Sequence, residues 1–209
     1  VTKGDASTSS YANKSNVGVA KVPDKRLDAL AKMYQPRRVV PAGVTYIDVP
    51  SPPEGFGSTR GIGGEYLNAL QATDALLIVV RGFKNPAVPH VDETIDPLRD
   101  ANNMLLEMVF SDLDIMTRRL EKLKDGFKGA KAQDREVLSR EQDLLARIQV
   151  ELDNGTSIRN QSLSPDEAKQ VSGFGFLSTK PIIIVMNIDE DQMDEITQLE
   201  LTLAETASG

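Results

Sequence analysis

The chain has 209 residues, enough for one ordinary domain or one domain carrying an insertion, with 40% hydrophobic residues to build a core. Its formal charge of -7 disfavours the whole chain as a nucleic-acid binder, and 5% aromatic content without Trp argues against a base-stacking surface. With no Cys and one His, disulfides and Cys/His metal sites are excluded, and no apolar run reaches membrane-span length, so a soluble, cytoplasmic protein is expected.

Residues 1–15 are polar and small, with the run Ser7-Thr-Ser-Ser10, and read as a loop. The absence of Met at position 1 suggests a piece of something longer. Asn16 to Ala20 reads as a short strand, and Asp24 as the N-cap of a helix whose Leu27, Leu30, Ala31 and Tyr34 share a face before Pro36 stops it. A β run from Val39 to Asp48 follows, broken by Pro41-Ala-Gly43. The Pro- and Gly-dense stretch from Pro50 to Gly64 cannot hold a regular element, and loops of this length inside compact domains are often functional. After a short helix from about Glu65 to Ala72, the apolar run Ala75 to Val80 predicts a parallel strand covered on both faces.

The pattern changes at Asp96-Pro97, a cap followed by Pro at the first helical position. Leu105, Val109, Leu113, Met116, Leu120, Leu123 and Phe127 then alternate steps of four and three, the spacing of a coiled-coil seam. Gly126 and Gly129 mark a turn, and Leu138, Leu145, Ile148 and Leu152 lie on a return helix stopping near Asn154-Gly155. Ser164-Pro-Asp-Glu167 is a capping box opening another short helix. Ile182 to Met186 reads as a buried strand ending in Asn187-Ile-Asp-Glu190.

Two strand ends carry the chemistry. Asp48 stands beside the glycine-rich loop, where a nucleotide switch places the carboxylate that holds Mg²⁺ through water. A turn or cap aspartate is the plainer alternative. Asn187-x-x-Glu190 can read a base edge, because an Asn amide both donates and accepts while a carboxylate accepts from a ring N–H or exocyclic amine. An Asx-turn after a strand explains the same residues. Taken together, the two strand ends favour a nucleotide site. Yet no G-x-x-x-x-G-K-[ST] phosphate-cradling motif occurs between Val1 and Gly209. His90 has no partner legible in the sequence and reads as structural, and Met104, Met108 and Met116 read as helix core. The mixed charges on the hairpin read as a solvated face.

Several of these segments resemble the YchF/Obg-like ATPases of the translation-factor class of P-loop proteins. They are Asn16 to Asp28, Asp74 to Phe83, Pro89-His-Val91, Asp96 to Asp100, and Leu177 to Pro181 leading into Asn187-x-x-Glu190. The resemblance implies binding and hydrolysis of ATP and/or GTP with Mg²⁺, and association with ribosomes. It also implies a helical coiled-coil insertion and a C-terminal TGS domain linked to RNA binding. On the matching positions it gives Asp48 the metal, Ser51 the terminal phosphate through its N–H, and Asn187, Ile188 and Glu190 the base. It assigns no catalytic residue. Ser51 replaces the glycine of Asp-x-x-Gly, Pro52 falls where many GTPases keep a Gln, and the resemblance fades after Asp191.

The expected fold is therefore α/β: a P-loop NTPase-type G domain with a mostly parallel sheet and an inserted antiparallel coiled-coil hairpin. Residues 1–96 would form the first part of the G domain, 97–158 the insertion, and 159–209 the return carrying the base motif. The expected function is that of a YchF-type, ribosome-associated, nucleotide-hydrolysing switch, in a piece lacking the P-loop and the TGS domain and so inactive alone. A non-catalytic interaction module built on the hairpin is the alternative.

Overall fold

A computed structural model describes residues 16–49, 62–85 and 94–207, with side chains described through residue 204. Ser51, Pro52, His90 and residues 1–15 lie outside these, so the readings made for them have no structural counterpart here. The chain divides into two units, residues 1–52 and 53–209.

In the first unit β1 (Asn16–Lys21) pairs antiparallel with β2 (Gly43–Asp48), from Asn16 opposite Asp48 to Lys21 opposite Gly43. Between them α1 (Lys25–Tyr34) begins at Asp24, whose side chain accepts the Arg26 N–H at 2.9 Å. It ends at Gln35 in the left-handed conformation, one residue before Pro36. The strand expected to start at Val39 starts instead at Gly43, after Pro41. No described residue of this unit is buried.

The second unit holds α2 (Gly64–Gln71) and the parallel pair β3 (Leu76–Arg81) and β4 (Ile182–Asn187), in register from Leu76 opposite Ile182 to Arg81 opposite Asn187. Leu76, Ile78 and Val80 are buried with Ile62, Ala101, Met108 and Leu177. Leu77, Val79, Ile183 and Val185 point the other way and are 38–61% exposed. The reading of the first run as covered on both faces, and of the second as buried, is therefore corrected. A continuous apolar run cannot tell one covered face from two, and among the described residues the buried contacts lie on one side only. Among the described residues the sheet is also not a single, mostly parallel one: it consists of one antiparallel pair and one parallel pair.

Helix α3 (Pro97–Gly126) has 30 residues and serves two cores. Its first half places Ala101 and Met108 on the β3–β4 pair. Its second half packs Met116 and Leu123 against Leu144, Leu145, Ile148 and Leu152 of α4 (Ala132–Asp153). The two helices run antiparallel, since Gly126 lies beside Leu138 while Arg119 forms a two-point ion pair with Glu141 at 2.6 and 2.9 Å. That pair is partly exposed and contributes about 0–1 kcal/mol, so the apolar contacts carry the packing. Of the expected seam, Met116 and Leu123 are fully buried, whereas Leu105, Val109, Leu113 and Leu120 are only half-buried. Helix α4 ends where Gly155 takes φ 86°, and its N–H reaches the Leu152 carbonyl at 2.9 Å. Helix α5 (Pro165–Ser172) opens with the expected capping box between Ser164 and Glu167. Beyond the last motif read from sequence, a 3-10 turn (Glu190–Glu195) leads into α6 (Ile196–Ala207), which packs on α3 and β4.

Between its two apolar stretches α3 buries three polar residues that the heptad reading left out: Glu107, Ser111 and Asp112. The Ser111 hydroxyl donates to the Ile62 carbonyl at 2.6 Å. Asp112, with no exposed surface, accepts the N–H groups of Leu177 and Ser178 at 2.7 and 2.8 Å. Burial pushes its carboxyl up to about 6, against the lowering effect of the Ser178 and Leu177 donors and of Lys180. The folded carboxyl thus holds its proton more tightly than the unfolded one. The stability it contributes is fully present below the ordinary value of 3.8 and lost as pH rises through about 6.

Two predictions follow from this packing. Leu145→Ala should cost about 2–5 kcal/mol in chemical denaturation, against less than about 0.5 kcal/mol for Val137→Ala on the exposed face of α4. Equal effects would refute the hairpin packing. The ¹³C resonance of the Asp112 carboxyl should titrate near pH 6, and unfolding free energy should fall between pH 4 and 6.5 by an amount that Asp112→Asn removes. A midpoint near 4 would show that burial does not dominate at this residue.

Candidate nucleotide-base site

In open α/β sheets, ligands sit outside the carboxyl ends of parallel strands, where the turns that follow offer backbone and side-chain groups free of the ladder. In this chain that edge is the end of β3 and β4, where Arg81 stands opposite Asn187. The ladder is extended by one bond, the Gly82 N–H donating to the Asn187 carbonyl at 2.8 Å. A Cβ at Gly82 would lie 2.8 Å from Met186 Cγ and 3.3 Å from the Asn187 carbonyl oxygen, so any larger residue there requires the Met186 side chain to move. Arg81 turns back over its own loop. It donates to the carbonyls of Phe83 and Asn85 at 3.0 Å each, and its guanidinium lies 4.8 Å from the centre of the Phe83 ring.

The turn after β4 contains three of the residues singled out in the sequence. Asn187 and Glu190 are exposed and Ile188 is half-buried. Asp189 is the N-cap of the following 3-10 turn and forms a capping box with Gln192. Its carboxylate accepts the Glu190 N–H at 2.8 Å, while Gln192 Oε1 accepts the Asp189 N–H at 3.0 Å. Gln192 Nε2 donates to the Gly82 carbonyl at 3.1 Å, tying the two strand-end turns together. Asp189 therefore does the capping that the Asx-turn alternative would have given to Asn187. The Asn187 amide and the Glu190 carboxylate make no side-chain hydrogen bond among the described residues, and both face solvent. A donor–acceptor amide and an acceptor carboxylate, held three residues apart on a capped turn, can engage the edge of a heterocyclic base.

Asp48, the expected metal residue, lies in the first unit at the end of β2, exposed and opposite Asn16. Ser51 lies outside the described residues. Sequence reasoning missed Gly82, Asp189 and Gln192. The spacing Asp189-x-x-Gln192 is a capping-box signature and was legible. The tight approach at Gly82 was not, because it depends on the Met186 side chain across the ladder.

No protein-family model matches the chain. It is 34% identical over 185 residues to the ribosome-binding ATPase YchF of Haemophilus ducreyi, a match covering 88% of this chain and 50% of that protein. The protein of the same name from Bacillus subtilis is 28% identical over 178 residues, covering 85% and 48% respectively. Among solved structures, the YchF GTPase of Schizosaccharomyces pombe superimposes with a TM-score of 0.76 at 25% identity, over 98% of this chain and 56% of that one. The chain thus spans about half the length of the relatives it matches. Over that span it belongs to the YchF family.

Proposed function

We propose that this chain is part of a nucleotide-binding, ribosome-associated switch in which the turn after β4 contacts the base. The observation that carries this reading is the pair of unengaged polar groups, Asn187 and Glu190, at the carboxyl end of a parallel strand pair. Its support is a family whose members are named ribosome-binding ATPases, with a GTPase among the solved structures. Those names weigh against the alternative of a purely non-catalytic interaction module. In this reading residues 97–158 form a coiled-coil insertion between two parts of one nucleotide-binding domain, and the protein works in the cytoplasm.

Asp48 is the residue assigned to Mg²⁺, and Ser51 the N–H assigned to the terminal phosphate. Among the described residues no three or more His, Cys, Asp or Glu cluster to enclose a metal. A lone exposed carboxylate fits Mg²⁺, which keeps several waters and takes one or two carboxylates together with phosphate oxygens. The ion would neutralise phosphate charge, and Asp48 would hold it through water.

The base turn suits adenine. A guanine reader packs a Lys stem on the base and ends in Asp, whereas here Ile188 supplies an apolar surface and Glu190 is one methylene longer. We expect ATP to bind this chain at least as well as GTP, in the range of about 1 mM, equivalent to about 4 kcal/mol. Asn187→Ala should abolish the binding of both, as read from amide shifts. A clear preference for GTP would defeat the adenine reading, and full binding by the variant would remove Asn187 from the site. No turnover of ATP or GTP is expected from this chain in a phosphate-release assay, because no phosphate-cradling motif occurs in its sequence. Turnover lost in Asp48→Ala would overturn that expectation.

A further inference from the structure

The Gln192 side chain lies between the two turns at the end of the β3–β4 pair and uses both ends of its amide. Its Nε2 donates to the Gly82 carbonyl at 3.1 Å, and its Oε1 accepts the Asp189 N–H at 3.0 Å. The same glycine gives its N–H to the Asn187 carbonyl at 2.8 Å, so the two polar groups of the Gly82 backbone are taken by the last residue of β4 and by the turn after it. Asp189 passes the constraint on, since its carboxylate accepts the N–H of Glu190 at 2.8 Å. Asn187 is thereby fixed at one end of the turn through Gly82, and Glu190 at the other through Gln192 and Asp189. Amide oxygen and nitrogen sit a fixed short distance apart on a planar group. The offset between the end of β3 and the Asp189 peptide is therefore set by one rigid bridge rather than by loop flexibility.

We propose that Gln192 is the positioning residue of the base turn: its bridge from Gly82 to Asp189 sets the spacing between the Asn187 amide and the Glu190 carboxylate, and so the choice between adenine and guanine. This rests on the nucleotide reading given above and deepens it. A carboxylate three residues from an amide can meet either base if it moves freely. It discriminates only when its distance from the amide is held, because a donor or acceptor out of place leaves a desolvated partner unsatisfied. Gln192 touches no nucleotide in this scheme and acts through the backbone of the turn.

The test is a side-by-side titration of ATP and GTP, at millimolar concentrations with Mg²⁺, followed by ¹⁵N amide shifts in the wild-type chain, Gln192→Ala and Gln192→Met. Melting temperature and the exchange rate of the Asp189 amide are measured in parallel. Both variants should weaken ATP binding by about 3–10-fold, bring the ATP-to-GTP affinity ratio towards one, and speed exchange at Asp189. The melting temperature should hardly move, because Gln192 is half-buried in a surface turn. Gln192→Met keeps the side-chain length, so a wild-type ratio in that variant would show that bulk rather than the bridge matters, overturning the proposal. Loss of both affinities in parallel with a fall in melting temperature would also overturn it, as would unchanged exchange at Asp189. If the wild-type chain binds neither nucleotide, the base-site reading fails and the proposal with it. Wild-type binding with an unaltered ratio in the variants sinks the proposal alone.

Discussion

The Asp112 carboxylate, buried in α3 and accepting the N–H groups of Leu177 and Ser178, is the interaction on which the second unit depends. A carboxyl group removed from water is tolerated only when hydrogen-bond partners meet it, and here two backbone N–H groups meet its two oxygens. Those N–H groups belong to the 3-10 turn Leu177–Thr179, which has no helical partners for them. One side chain therefore satisfies the chain at the point where it leaves the helical core and enters the sheet. The neighbouring Ser111 does the same for the carbonyl of Ile62, where the chain comes back into the described core ahead of α2. A single turn of α3 thus grips two segments far apart in sequence. Lys180 reinforces the arrangement, donating to the carbonyls of Gln71 and Thr73 while its charge faces Asp74 and Asp112.

This grip also fixes the candidate site, although the two lie at opposite ends of a strand. β4 begins at Ile182, a few residues after the Asp112-held turn, and ends at Asn187. Six residues of extended chain span about 20 Å and hardly change length. Once Leu177 is placed and the register with β3 is set, the position of Asn187 along the strand follows. Tertiary contacts at the start of the strand decide where the turn after β4 stands, and the local bridge through Gln192 decides its shape.

The elements most legible in the sequence are those whose signals are local. Asp24, Asp96 and Ser164 mark helix starts because a capping side chain bonds a backbone N–H within three residues. The turn around Asn154-Gly155 is legible for the same reason. The β3 and β4 runs were identified as strands, but their burial was not, since covering a face is the work of other elements. The heptad spacing of α3 found the half that meets α4. It misjudged the half that meets the sheet, where Met108, Ser111 and Asp112 face inward on a different stripe.

The sequence by itself determined the strand that ends at Asn187, the place of Asn187 and Glu190 just after it, and the family to which the chain belongs. These rest on short-range hydrogen bonding and on motif order, both of which are properties of the chain read in one direction. Only the tertiary structure decided that Gly82 lies tight against Met186, that Gln192 bridges two strand ends, and that an aspartate in the middle of an amphipathic helix points into the core. Each of those depends on a partner dozens of residues away, brought close by the parallel pairing of β3 with β4 and by the packing of α3. A one-dimensional pattern carries no record of which distant backbone group will be left needing a partner.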